Sequence, residues 1–141
     1  MSRYGVIADT FGADAPTAAS LWVSLSNAGA RLLFGSDWPN GALDPRDAIE
    51  NVVSVREDGP AAQTPSSLSL RAVVDAHTGQ AAFASYDEQR KGTLAPGMLA
   101  DIVILSNDIF QTPQSIKDAA VAVTIFDGKV VYQRPVQPTS N

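Results

Sequence analysis

The sequence predicts an α/β fold that closes with a small antiparallel β unit. A helix, a tight turn and a short apolar strand follow one another before Gly35, which is half of an α/β repeat. After Gly92 the hydrophobic period changes from helical to alternating, and two alternating apolar runs are then joined by Asp127-Gly128, the strongest short hairpin signal. The 141 residues, 45% hydrophobic and 18% charged, describe one globular domain of ordinary size. Such a chain buries roughly two-thirds of the surface that its unfolded form exposes, so it needs no disulfide or structural metal for stability.

Pro16 followed by TAASLWVSL predicts the first helix, with Asp14 and Thr17 as capping groups and Asn27-Ala28-Gly29 as its end. The run ARLLFG that follows, bounded by Gly29 and Gly35, reads as a strand buried on both faces. SDWPNGALDP is rich in turn formers. A second helix starts at Asp44-Pro45, and Ile49, Val52, Val53 and Arg56 fall on helical spacing within it. Residues 58–67 read as a loop. From about Ser69 a third helix places Leu70, Val73, Val74 and His77 on one stripe, and GQAAFAS continues as a short helical piece. Pro96-Gly97 is a type II turn pair, ADIVIL a strand, and AVAVTIF with KVVYQ the arms of the hairpin. The tail RPVQPTSN holds two prolines and no core formers, and is expected to fray.

With 15 Asp+Glu against 10 Lys+Arg and no basic cluster, the chain lacks the electrostatic footprint of a nucleic-acid binder. No 18-residue apolar stretch could span a bilayer, and no apolar run near Met1 resembles a leader, so a cytoplasmic location is expected. The absence of cysteine removes disulfides, thiolate nucleophiles and cysteine-based zinc sites. With one histidine, His77, the chain cannot by itself build a metal site that needs two imidazoles.

Three segments, LLFGSDWP (32–39), GTLAPGMLADIVIL (92–105) and VTIFDGKVVY (123–132), joined by LRAVVDAHTGQAAFAS, together resemble the C-terminal portion of the metal-dependent amidohydrolase superfamily, most of all its amidohydrolase 3 group. Any one segment is weak evidence; the three in this order are specific. The resemblance implies the C-terminal end of a (β/α)8 TIM barrel, in residues 1–86, followed by a small antiparallel β-sandwich domain in 87–134 and a tail in 135–141. GSDWP would then sit at the end of the eighth barrel strand, with Asp37 matching the catalytic aspartate.

Amide hydrolysis at neutral pH needs a hydroxide nucleophile and a protonated leaving amine. The resemblance implies one or two divalent ions, zinc foremost, with Asp37 as proton shuttle and metal ligand. Trp38 is a candidate to line the pocket of a small amide-type substrate. The implied reaction is hydrolysis of a non-peptide carbon–nitrogen bond, amide or formamide. Pro96-Gly97, Asp101 and Asp127-Gly128 would be architectural.

A (β/α)8 barrel takes roughly 250 residues, and the family's other metal ligands, an H-x-H pair, a lysine or glutamate and further histidines, have no counterpart in these 141 residues. The chain thus reads as the C-terminal piece of a larger enzyme, catalytically incomplete alone. It is expected to self-associate through exposed barrel edges. The alternative from another class is a non-catalytic binding or assembly module that kept the β domain.

Blander readings stand beside the sharp ones. Asp37 also suits an Asx turn, and Trp38 also suits packing beside a strand end. Ser36 reads as a turn hydroxyl, since the G-x-S-x-G elbow is absent. His77 reads as a satisfied, half-buried histidine on an apolar stripe. Asp44, Asp47 and Glu50 read as the acidic first turn of a helix, favoured by its dipole.

Overall fold

The computed structural model describes residues 18–41, 43–53, 68–111 and 115–135. Expectations for the Met1 end, for the Asp14 and Thr17 caps, for the 58–67 loop and for the last six residues of the tail lie outside these. The elements in order are α1 (Ala18–Asn27), α2 (Pro45–Val53), α3 (Leu70–His77), α4 (Gly79–Ala84), β1 (Ile102–Leu105), α5 (Ser115–Asp118), β2 (Val121–Phe126) and β3 (Lys129–Gln133).

The helix α1 ends in a Schellman arrangement, with Ala30 N–H donating to the Leu25 carbonyl and Gly29 N–H to that of Ser26, both at 3.0 Å. Gly29 takes φ 84°, a left-handed conformation in which a side chain is strained. The start of α2 is capped by Asp44, whose Oδ1 accepts from Arg46 N–H at 2.9 Å, and Pro45 occupies the first helical position. Ser69 caps α3, its Oγ accepting from Ala72 N–H at 3.2 Å. Between α3 and α4 the chain turns at Thr78, whose hydroxyl donates to the Val74 carbonyl at 2.8 Å. Gly92 then returns the chain to this corner: a Cβ there would stand 2.7 Å from the Ala82 Cβ, so only glycine fits without a shift.

Ala95–Met98 form the expected turn, closed by Met98 N–H on the Ala95 carbonyl at 3.1 Å with Gly97 at φ 88°. Beyond it lies one antiparallel sheet of order β1-β2-β3. Ile102 pairs with Ile125, Ile104 with Val123, and Phe126 with Lys129 across the hairpin. Asp127 and Gly128 both have positive φ, 50° and 73°, the type I′ geometry that matches strand twist. Asp101 ties the hairpin tip to the start of β1 by accepting from Asp127 N–H at 2.9 Å, and Gly128 N–H donates to the Ala100 carbonyl at 3.1 Å.

The buried core among the described residues is Val52, Val73, Ala76, Ala82, Ile116 and Ala119. It sits where α2 packs on both α3 and α5, so the helical half and the segment leading into the sheet share it. No described helix is long and apolar enough to cross a membrane.

Two expectations differ from the structure. ARLLFG (30–35) is not a strand; its backbone carries no ladder, and Leu33 is 54% exposed. A parallel barrel strand exists through its neighbours, and no described residues form a ladder with it; beyond the Ala30 bond that closes α1, the run keeps the bond from Phe34 N–H to the Ala76 carbonyl, at 3.1 Å. The β unit is a single three-stranded sheet among the described residues, with no second sheet stacked on it to make a sandwich. The mixed helix-and-sheet architecture is thus observed, and the barrel end remains what the resemblance implies.

Candidate functional site

Residues 36–41 form a turn closed on itself. Trp38 N–H donates to Ser36 Oγ at 3.3 Å, and Asn40 N–H to the Asp37 carbonyl at 2.8 Å. The Trp38-Pro39 peptide is cis. A Cβ on Gly41 would lie 2.1 Å from the Ser36 carbonyl oxygen, so the closure requires glycine at this position. Ser36 therefore acts as the turn hydroxyl that its sequence context suggests.

Asp37 sits at the head of this turn, exposed, with φ 49°. Its Oδ2 accepts from Asn40 Nδ2 at 3.2 Å. A carboxylate held this way has an oriented acceptor edge open to solvent, as proton transfer to or from a substrate atom demands. Trp38, 64% exposed, stands beside it with its ring uncovered.

A divalent ion needs more donors than this. Among the described residues no group of three or more His, Cys, Asp or Glu side chains converges, so Asp37 does not hold a metal with partners from these residues.

His77 lies on another element, at the end of α3. Its Nδ1 is 2.9 Å from the Val73 carbonyl, while Nε2 is shielded from solvent without a partner among the described residues. It is half-buried as expected, but satisfied at one nitrogen only. Its ring lies 5.7 Å from that of Phe34, which meets Trp22 edge-on at 5.3 Å.

Of Asp44, Asp47 and Glu50, only Asp47 lies in the first turn of α2, and Asp44 is its cap. The Asp44 carboxylate receives Nε and Nη2 of Arg46 side by side. That hydrogen-bonded guanidinium lowers the Asp44 pKa against the opposing effect of burial, and the carboxylate in turn raises that of Arg46. The remaining Nη1 of Arg46 donates to the Ala119 carbonyl. The Asp44-Pro45-Arg46 spacing is readable as a cap; the reach to Ala119 has no local signal. Farther along, Lys91 lowers the Asp87 pKa by a hydrogen bond, with Nζ at 2.9 Å, and Arg90 adds to this.

The chain is thus a mixed one, helices followed by a small antiparallel sheet, with the exposed Asp37 carboxylate on a tight turn between the first two helices. Residues 3–132 match the amidohydrolase family, and the chain belongs to that family, in its amidohydrolase 3 group. It is 28% identical over 138 residues to the Bacillus subtilis (strain 168) protein named "Putative amidohydrolase YtcJ", covering 94% of this chain and 26% of that protein. It is 35% identical over 114 residues to "Protein LONG AFTER FAR-RED 3" of Arabidopsis thaliana, covering 79% of this chain and 20% of that protein. The chain thus spans about a fifth to a quarter of the length of these curated relatives. No solved structure matches it.

Proposed function

We propose that this chain supplies the proton-handling carboxylate of an amidohydrolase that cleaves a non-peptide carbon–nitrogen bond, amide or formamide, in a small-molecule substrate. Asp37 takes the proton of the attacking water and returns it to the departing nitrogen, and Trp38 lines the substrate. The observation that carries the reading is the Asp37 carboxylate, presented open on a turn that Gly41 and Ser36 lock, in a chain of this family. The metal dependence general to the family calls for donors beyond the described residues, and zinc is the ion proposed. Asp37 would be one ligand of that larger set. The 141 residues alone are therefore proposed to be catalytically incomplete.

Two preparations test this. The purified chain, equilibrated with zinc and freed of excess, is expected to hold less than one equivalent and to leave a panel of formamides and N-acyl amines intact. A hybrid in which it replaces the matched region of the Bacillus relative is expected to hydrolyse the panel, and Asp37→Asn there to lower kcat by about 10²–10⁴. Stoichiometric zinc with turnover by the chain alone would refute incompleteness. An unchanged kcat in the Asp37→Asn hybrid would remove Asp37 from the chemistry.

A second reading, a non-catalytic assembly module, is favoured by the sheet, in which no residue of β1, β2 or β3 is buried. Both readings share the proposal that the isolated chain self-associates. The hybrid separates them, because a module would bind without restoring turnover.

A further inference from the structure

We propose that His77 is a positioning residue, which through Phe34 holds the Asp37 turn against the C-terminal end of α3. The proposal rests on Asp37 being the working carboxylate, and deepens that reading by naming what orients it.

Asp37 stands three residues beyond Phe34. From Ser36 to Gly41 every hydrogen bond among the described residues stays inside the turn. The turn is therefore a closed unit, placed by the anchored residues that flank it, Phe34 before it and Asp44 after it. Upstream, Arg31 lies over the Phe83 ring at 3.9 Å, which fixes where the segment leaves α1. Phe34 is the anchor nearest the carboxylate, held by its N–H on the Ala76 carbonyl at 3.1 Å and by its ring between Trp22 and His77.

Of these contacts His77 is the one with a locked orientation of its own. The Val73 carbonyl can only accept, so Nδ1 carries the hydrogen and the 2.9 Å bond sets the rotation of the imidazole one helical turn back along α3. Nε2 is shielded and unpartnered among the described residues, so nothing on that side pulls the ring away from Phe34. The ring thus meets Phe34 from a fixed direction, at the residue whose neighbouring carbonyl, that of Ala76, holds the Phe34 backbone. A side chain and an adjacent backbone group of one helix end together clamp a single residue. Displacement of a catalytic group by about 1 Å costs on the order of 10²-fold in rate, which is the scale on which such a clamp matters.

The test is hydrogen exchange by mass spectrometry on the 141-residue chain. The wild type should protect the amides of Phe34 and Asn40. His77→Ala should raise exchange across 34–41 by about tenfold or more while leaving the β2–β3 amides unchanged, and His77→Phe, which keeps an aromatic ring, should return it to within about threefold of wild type. If His77→Ala does not fold, His77→Leu, of similar bulk and without an aromatic face, is read the same way. Nitrogen-15 shifts of the His77 ring should report the hydrogen on Nδ1. Unprotected 34–41 amides in the wild type, no change on removing the ring, a rise that spreads into the sheet, failure of His77→Phe to rescue, or a hydrogen on Nε2 would each overturn the clamp. Failure of Asp37→Asn to lower turnover in the hybrid would instead remove the function while leaving the exchange result standing.

Discussion

The guanidinium of Arg46 serves two partners: it pairs with the Asp44 carboxylate at the α2 cap and donates to the Ala119 carbonyl. The pH dependence follows from the lowered Asp44 pKa. A carboxylate with a depressed folded value contributes stability above its unfolded value, about 3.9, and loses it as pH falls through the depressed value. Urea midpoints measured from pH 6 to pH 2.5 should therefore show an advantage of wild type over Asp44→Asn that is flat at the upper end and shrinks in acid. A pH-independent gap would contradict the pairing. Both side chains are about a third exposed, 32% and 36%, so added salt should narrow the advantage. At this scale the sequence was informative where chemistry is local. GSDWP and Asp44-Pro45 announce a carboxylate on a turn and a helix cap. The contacts of Arg46 with Ala119 and of His77 with Phe34 join residues far apart in the chain, and no spacing rule encodes them.

Among elements, those with caps and glycines at their ends were legible in advance. Asn27-Ala28-Gly29 ended α1, Ser69 began α3, and Asp127-Gly128 turned the hairpin. The four-residue α5 was not, since a single turn has no period to read. ARLLFG failed for a different reason: its apolar character is that of a strand, but strand structure is a property of pairs, and the partners are not among the described residues. The hairpin offers the cleanest element-level test. Gly128 has φ 73°, and a β-branched side chain in the left-handed region costs roughly 1–2 kcal/mol. Gly128→Val should lower the urea midpoint accordingly, whereas Gly35→Ala, with nothing within 4 Å of the added Cβ, should cost little. Equal midpoints for the two variants would show that the turn is not type I′ in solution.

At the scale of the molecule, the described residues bury few large side chains and expose many. Val103, Phe126, Val130 and Val131 are each more than half exposed on the sheet, and Trp38 and Leu43 on or near the turn. Apolar surface of this kind, with open strand edges at β1 and β3, is a template for association. Light scattering behind size exclusion should give a mass above 14.8 kDa that grows with concentration, and Val103→Lys with Phe126→Lys should lower it. A monodisperse monomer across concentrations would contradict this. Family membership was legible because three motifs keep their order along the chain; which surfaces meet was not, because both faces of the sheet are apolar. The Arg46 link has one more consequence, for the order in which the protein is made. Arg46 and Ala119 are separated by 73 positions, so on a ribosome adding 5–20 residues per second Arg46 would be synthesised roughly 4–15 s before its acceptor carbonyl. During that interval α2 has its Asp44 cap but neither Ile116 nor Ala119 to pack on.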